Sequence, residues 1–487
     1  MNPRIKSINH LWFEGLENSP LRLVADDGHG PLHFSAFFDL VRDAALGFEV
    51  SGITPGTLVG VWTTNHFRSA VTELALLALG AVSVRLPRPM AKPAAQDFLE
   101  NARLRFVVVD QAEQITGPFR DAFRLFELVP TAPSPHLTWD MVLDTGSQER
   151  LSRSKAFLER LESTESETIA RVIVSSGTAG TPKAVRLSHR AYAAYLGSLR
   201  ELAPFSSLDR NSRVHVAATA LGPLLPLTDY GLLFFESPFR WGDTASGLTI
   251  TRAGSENTVV DALNALDGYG LTETCGWVQF RGESLPDTSF RLGTHNEIEV
   301  RTPQIFSGYA FSDDASGPQI APGHGPDQFW PTGDQGLWEE AGRVQYRGQL
   351  TSRLTLRSGW SLNPEKIENE LARHPWIRRV LLVGDGRDRV GAVIEPEIAA
   401  IEAFAQTEHL LFSDRKGLLG HPRVLERLRT HIESSNERLP APEQIVSFVV
   451  ATDAWLVENG DLTARGSLRR ATLAERWTET VFQAPPS

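Results

Sequence analysis

Ser175-Ser176-Gly177-Thr178-Ala179-Gly180-Thr181-Pro182-Lys183 follows directly on Ile169-Ala170-Arg171-Val172-Ile173-Val174. The leading run is apolar and mostly β-branched, broken only by Arg171, which predicts a largely buried strand. The run after it is small and rich in hydroxyls. Small residues let backbone N–H groups close on phosphate oxygens. Hydroxyls at Ser176, Thr178 and Thr181 add donors, and Lys183 adds a point cation. The loop is not of the Walker type, which needs Gly-Lys followed by Ser or Thr. Here Pro182 precedes the lysine and Ala184 follows it. Taken alone, the same residues also read as a polar turn between a strand and a helix. Ser188 has the chemistry of an N-cap for a helix opening at His189.

Upstream of this loop, strands and helices alternate. Phe37, Leu40, Val41, Ala44 and Phe48 recur at helical spacing within Phe34–Val50. Leu58–Trp62 is a short apolar strand, and Phe67–Leu79 returns to helical spacing before stopping at Gly80. Ala81–Leu86 and Phe106–Asp110 read as further strands. That alternation predicts a parallel α/β sheet. Downstream, a second, α+β region is expected. It holds strands at Arg379–Gly384, Gly391–Glu395 and Ile445–Ala451 and an amphipathic helix over Pro422–Leu439. The proline-bearing stretch Leu128–Leu137 and the Gly/Pro/Asp-rich stretch Asp313–Asp327 read as surface connections.

At 487 residues the chain is long enough for more than one domain. Its net charge of −11 argues against a broad nucleic-acid-binding face, which needs concentrated basic residues. The single cysteine, Cys275, cannot form an internal disulfide, so a cytoplasmic setting is expected. The N-terminal run lacks a signal-peptide core. The apolar stretch Leu74–Val84 is too short to span a bilayer and reads as a buried helix running into a strand.

Two further motifs carry chemistry. In Tyr269-Gly270-Leu271-Thr272-Glu273, a ring can stack on a base, a hydroxyl can reach a phosphate, and a carboxylate can hold Mg²⁺. In Pro331-Thr332-Gly333-Asp334, the carboxylate can accept from two neighbouring hydroxyls. Each alone also reads as an ordinary turn.

Together the motifs carry a resemblance. Ser175–Lys183, continued by Ala184-Val185-Arg186-Leu187-Ser188-His189, resembles the phosphate loop of the adenylate-forming ligases. That superfamily includes acyl-CoA synthetases, peptide-synthetase adenylation domains and luciferases. Tyr269–Glu273 resembles its aromatic-Gly-x-Thr-Glu motif and Thr332-Gly333-Asp334 its Thr-Gly-Asp motif, in the family's order. Gly52-Ile53-Thr54-Pro55-Gly56 and Leu79-Gly80-Ala81-Val82 are similar to its opening subdomain. Ser358–Glu368 is similar to the start of its C-terminal domain, and Glu458–Thr463 with Leu468-Arg469-Arg470 to its long-chain acyl-CoA synthetase branch.

The resemblance implies a large N-terminal α/β AMP-binding domain over 1–347, a hinge over 348–353, and a smaller mobile α+β domain over 354–487. It implies ATP and Mg²⁺. Ser175, Ser176, Gly177, Thr178, Ala179, Gly180 and Lys183 would surround the phosphates, Thr272 would meet the α-phosphate, and Glu273 would hold the metal. Tyr269 and Gly270 would face the adenine and Asp334 the ribose, with Gln349 beside it. The implied reaction activates a small-molecule carboxylate, a fatty or aryl acid, as its acyl-adenylate. The acceptor would be the thiol of CoA or of an acyl carrier protein.

The pattern also departs from the family. Ser467 stands where the family has a catalytic lysine, with Arg465, Arg469 and Arg470 nearby. Gln349 stands where it has an arginine, and Ser352 at the usual hinge aspartate or lysine. The stretch from Lys183 to Tyr269 is short. These departures imply an alternative: a degenerate ligase that binds nucleotide or an acyl partner with impaired or altered adenylation. Other residues read as structural. His215 lies in an apolar strand and Cys275 is a buried thiol. Tyr230–Trp241 is core, and Arg427, Arg429 and Arg438 form a helix's solvated face.

Overall fold

The computed structural model describes residues 7–26, 30–87, 92–115, 122–131, 133–175, 183–202, 204–216, 224–242, 248–252, 268–311, 325–339, 343–350, 353–456, 459–462 and 468–483. These fall into two compact units. The first gathers the described residues through Trp330 except Leu292–Ile298. The second gathers Leu292–Ile298 and everything from Pro331.

The first unit is built on an eight-stranded sheet. Its order is Tyr309–Ala310, Lys183–Ser188, Ile169–Ser175, Val82–Arg85, Leu58–Trp62, Phe106–Val109, Arg124–Glu127 and Leu137–Thr138. From Ile169–Ser175 onward the neighbours run parallel, as the strand–helix alternation predicts. Lys183–Ser188 and Tyr309–Ala310 run antiparallel instead. For Lys183–Ser188 the reason is chain length: a parallel return needs a crossover of about a dozen residues or more, and the segment from Ser176 to Pro182 is too short for one. The predicted helices form over Phe34–Val50 and Phe67–Leu79, the latter closed by Gly80 at φ 78°. Ser188 caps His189–Glu201, its side chain accepting from Ala191 N–H. A five-stranded sheet (Leu248–Arg252, Ser212–Val216, Phe239–Trp241, Leu23–Asp26, Pro31–His33) shares the same apolar core. His215 lies in it and meets Thr251 Oγ1 at 3.1 Å.

Arg171 interrupts the apolar strand for a reason. Its guanidinium is fully buried, with Nη2 2.9 Å from both Glu73 and Asp229, and lies over the Tyr230 ring. A buried cation is tolerated when paired, and the guanidinium adds a second bond to Glu73, from Nε at 3.1 Å, that an ammonium lacks.

The second unit is α+β. A hairpin of Trp330–Trp338 and Val344–Gln349 opens it. Ile377–Val383, Val390–Pro396 and Ile445–Val450 form a three-stranded sheet, flanked by Pro364–Leu371, Pro422–Asn436 and Arg470–Gln483. Apolar clusters fill both faces of that sheet. The arginines of Pro422–Asn436 are not simply a solvated face: the Arg427 guanidinium lies 4.9 Å from the Trp376 ring centre and 5.2 Å from that of Phe404. Among the described residues no helix is long and apolar enough to cross a membrane.

Candidate functional site

Ser176, Gly177, Thr178, Ala179 and Gly180, with Thr181 and Pro182, lie outside the described residues. The two ends of that loop are described. Ser175 and Lys183 stand opposite each other in the antiparallel register. The loop therefore joins two neighbouring strands of the sheet, and the helix at His189 follows only after the second of them. Lys183 is exposed at the start of its strand.

The Thr-Glu motif forms a single 3-10 turn, Thr272–Thr274, after the strand Gly268–Leu271. The turn is tied down from several sides. Leu271 N–H donates to Thr274 Oγ1 at 2.9 Å, and that hydroxyl donates to the Gly276 carbonyl at 2.8 Å. The Gln304 side-chain amide donates to the carbonyls of Thr274 (2.8 Å) and Trp277 (2.6 Å). Gly270 is glycine because a Cβ there would collide with the Gly276 carbonyl of the facing strand. Tyr269 is half-buried on this strand, opposite Gln279 and near the Phe290 ring. Cys275 closes the turn in the left-handed region at φ 57°, and burial pushes its thiol pKa up, which makes it inert.

Lys183 and Glu273 meet at a residue that the sequence motifs do not contain. Tyr309 donates its hydroxyl to Glu273 Oε1 at 2.9 Å, and the Lys183 ammonium lies 5.5 Å from the centre of its ring. Burial, then the neighbouring Glu273 carboxylate, raises the Tyr309 pKa, so the phenol stays a donor. Glu273 itself is buried, whereas Thr272 is half-buried. The pairing of Tyr309–Ala310 with Val185 and Ala184 sets this arrangement. Only an aromatic residue directly after Gly308, following the apolar Ile305-Phe306, hinted at it in the sequence.

Asp334 and Gln349 belong to the second unit and face each other across its hairpin. Asp334 is almost fully buried. The turn before it is fixed by Thr332 Oγ1, which donates to the Ile298 carbonyl at 2.7 Å and accepts from Asp334 N–H at 3.1 Å. Gly333, at φ 76°, donates its N–H to Glu297 Oε1. Burial raises the Tyr346 pKa, with Glu365 and Asp334 adding to it. Ser467 and Arg465 lie outside the described residues. Arg470 forms a buried pair with Glu368.

Residues 15–244 match the family model described as AMP-binding enzyme, and residues 351–484 match that of the AMP-binding enzyme C-terminal domain. Among curated proteins, the long-chain-fatty-acid–CoA ligase FadD15 of Mycobacterium bovis is 22% identical, over 91% of this chain and 90% of that one. Among solved structures, o-succinylbenzoate CoA synthetase (MenE) from Bacillus subtilis, in complex with the acyl-adenylate intermediate OSB-AMP, aligns with a TM-score of 0.63. It covers 95% of this chain and 97% of that one at 14% identity. The anthranilate CoA ligase AuaEII in complex with anthranoyl-AMP aligns with a TM-score of 0.66, covering 97% and 98% at 14% identity. Both structural likenesses extend over the two units and carry the fold.

Proposed function

The chain belongs to the AMP-binding enzyme family, and from that premise we propose that it activates a carboxylic acid with ATP as an acyl-adenylate and transfers the acyl group to a thiol. One carboxylate oxygen attacks the α-phosphorus, and the bond to the leaving pyrophosphate breaks. A thiol sulfur then attacks the acyl carbonyl, and AMP leaves. The acid is fatty or aryl, in line with the fatty-acid and aryl ligases to which the chain is similar. CoA is the acceptor those relatives' names support, with an acyl carrier protein as the other thiol of the same chemistry.

The observation that supports this reading is the convergence of Lys183 and Glu273 on Tyr309. A cation at the start of one strand and a hard carboxylate in the turn after another, each in contact with Tyr309, suit a polyphosphate carrying a divalent metal. The donor set fits Mg²⁺: it takes one or two carboxylates and completes its shell with phosphate oxygens and water. Among the described residues no cluster of three or more acidic, His or Cys ligands exists to hold a metal by protein alone. Magnesium, when bound, would offset the charge on the phosphates. Glu273 would hold it, and Lys183, Ser176 and Thr178 would hold the phosphates. Thr272 would reach the α-phosphate, Tyr269 the adenine and Asp334 the ribose. Rotation about 348–353 would exchange the two half-reactions.

One observation favours a second reading, nucleotide binding with impaired adenylation. By the resemblance Ser467 stands where the family has a lysine, and Arg470, three residues further along the chain, already serves Glu368. Carboxylate-dependent ATP–pyrophosphate exchange over a panel of fatty and aryl acids separates the two. Exchange with at least one acid is expected. ATP binding without any exchange would leave the second reading standing.

A further inference from the structure

We infer that Tyr309 is a positioning residue that couples the two charged groups of the site: its ring holds the Lys183 ammonium and its hydroxyl assigns the two oxygens of Glu273. The inference rests on the proposed roles of Lys183 at the phosphates and Glu273 at the metal.

The segment Pro303–Ala310 is bonded to both motif-bearing pieces of chain. Phe306 N–H donates to the Glu273 carbonyl at 2.8 Å. Ser307 N–H donates to the Arg186 carbonyl at 2.8 Å, and Arg186 N–H to the Gly308 carbonyl at 2.9 Å. Tyr309 then pairs with Val185, two residues beyond Lys183. One short segment thus fixes the spacing between the lysine strand and the Thr272–Thr274 turn.

The side chain repeats the link at closer range. The Tyr309 hydroxyl occupies Oε1 of Glu273 at 2.9 Å. A carboxylate oxygen held by a fixed donor loses rotational freedom. Oε2 is then the oxygen presented to a cation. Meanwhile the face of the same ring attracts the Lys183 ammonium, at 5.5 Å from the centroid. Edge-to-face contact with Phe306, at 5.0 Å, sets the tilt of the ring. The two functions of Tyr309 are chemically separable: phenylalanine keeps the ring and removes the hydroxyl, and leucine removes both.

The test is ATP binding by calorimetry on the full chain, first in EDTA and then across a Mg²⁺ titration. The proteins are wild type, Tyr309→Phe, Tyr309→Leu, Glu273→Gln and Lys183→Ala. Tyr309→Phe should leave metal-free affinity unchanged and raise the Mg²⁺ concentration for half-saturation by about tenfold, the scale of a hydrogen bond to a charged group. Tyr309→Leu should add a loss of about two- to fivefold in metal-free affinity, the scale of an exposed cation–π contact. Wild-type Mg²⁺ dependence in Tyr309→Phe overturns the inference. So does an equal shift with and without metal, which marks a merely structural role. The controls separate the layers. If Glu273→Gln and Lys183→Ala also bind like wild type, the reading of the site itself fails. If they shift and Tyr309→Phe does not, only the coupling fails. Thermal melting checks each variant, and Tyr309→Phe keeps the packing if Tyr309→Leu does not fold.

Discussion

Arg470 grips both carboxylate oxygens of Glu368. Nη1 lies 2.7 Å from Oε1, and Nη2 donates to Oε2. Leu382 N–H donates to Oε1 as well, at 2.7 Å. The pair is largely shielded, with side-chain exposures of 23% and 7%. It pins the first residue of the helix Arg470–Gln483 to the helix Pro364–Leu371. Arg470 is thus a structural cation of the second unit, engaged by Glu368.

Removing one partner of such a pair strands the other. Arg470→Ala should therefore destabilise the second unit by about 3–5 kcal/mol. The double change Arg470→Leu with Glu368→Gln should recover part of that loss, because no buried charge is left and the amide oxygen still accepts from Leu382 N–H. Urea denaturation measures both. A single variant as stable as wild type would show the pair to be solvated.

Arg171 makes the same argument more severely, because it is fully buried and serves two carboxylates. Its Nε also donates to Glu73 at 3.1 Å. Burial works to lower its pKa, but Glu73, Tyr230, Tyr192 and Asp229 outweigh that and hold it raised, so the side chain stays charged. Arg171→Met should cost about 3–5 kcal/mol. Arg171→Lys should also cost stability, but less, since an ammonium at the place of Nη2 can meet both carboxylates while losing the Nε bond to Glu73 and the planar contact with the Tyr230 ring. Chemical unfolding that finds the lysine variant equal to wild type would count against this account.

Much of the fold could be read from hydrophobic period and glycine punctuation. Phe34–Val50, Leu58–Trp62 and Phe67–Leu79 form with the ends that their patterns predict. What was not legible depends on chain return and tertiary pairing. The strand at Lys183 runs antiparallel because of the shortness of the preceding loop, which local pattern does not register. Arg171 broke an otherwise apolar run, but its partners Glu73 and Asp229 come from distant helices. For the proposed site, motif spacing is what nominates Lys183, Glu273 and Asp334. It missed Tyr309, because a lone tyrosine after a glycine carries no pattern until Tyr309–Ala310 pairs with the lysine strand. The resemblance brought Asp334 and Gln349 to the same ribose, while the register that sets them opposite each other emerges only when the hairpin forms.

His189 predicts an acid limb of stability. Burial, and then the nearby His10, lowers its pKa to about 3 from 6.5. Its Nδ1 finds no hydrogen-bond partner among the described residues. The folded state therefore holds it neutral, while the unfolded chain takes up a proton below about 6.5. Its contribution is full above that pH and is lost progressively as pH falls towards about 3, at roughly 1.4 kcal/mol per unit. Melting temperatures of wild type and His189→Gln, compared at pH 7.5 and 5, should converge on acidification. A constant difference across that range would mean that His189 does not titrate as its burial demands.

Asp334 and Gln349 predict a split between binding and folding. Asp334→Asn keeps the shape of the side chain but removes the charge that would accept from ribose hydroxyls. AMP affinity should fall by about ten- to a hundredfold. Gln349→Arg places an opposite charge across the hairpin and should stabilise the second unit by about 0.2–1 kcal/mol. Calorimetry with AMP and thermal melting read the two effects separately. Unchanged AMP affinity in Asp334→Asn would remove the ribose from this hairpin.

Ser467→Lys tests whether the chemistry was weakened at one position. A cation aimed at the charge that develops between carboxylate and α-phosphate is worth about 10²–10³ in rate. Serine offers a hydroxyl dipole instead, and the Arg470 guanidinium is engaged elsewhere. The lysine variant should raise carboxylate-dependent ATP–pyrophosphate exchange by that factor while leaving ATP affinity within about twofold. The rise must also vanish in the double variant with Lys183→Ala, because both cations would act on the same phosphates. Exchange that is already fast in wild type and insensitive to Ser467→Lys would show that another group supplies the charge. Arg469 would then be the residue to change next, since it is two residues along the chain from Ser467 and its backbone N–H is anchored to the Asp461 carbonyl at 2.9 Å.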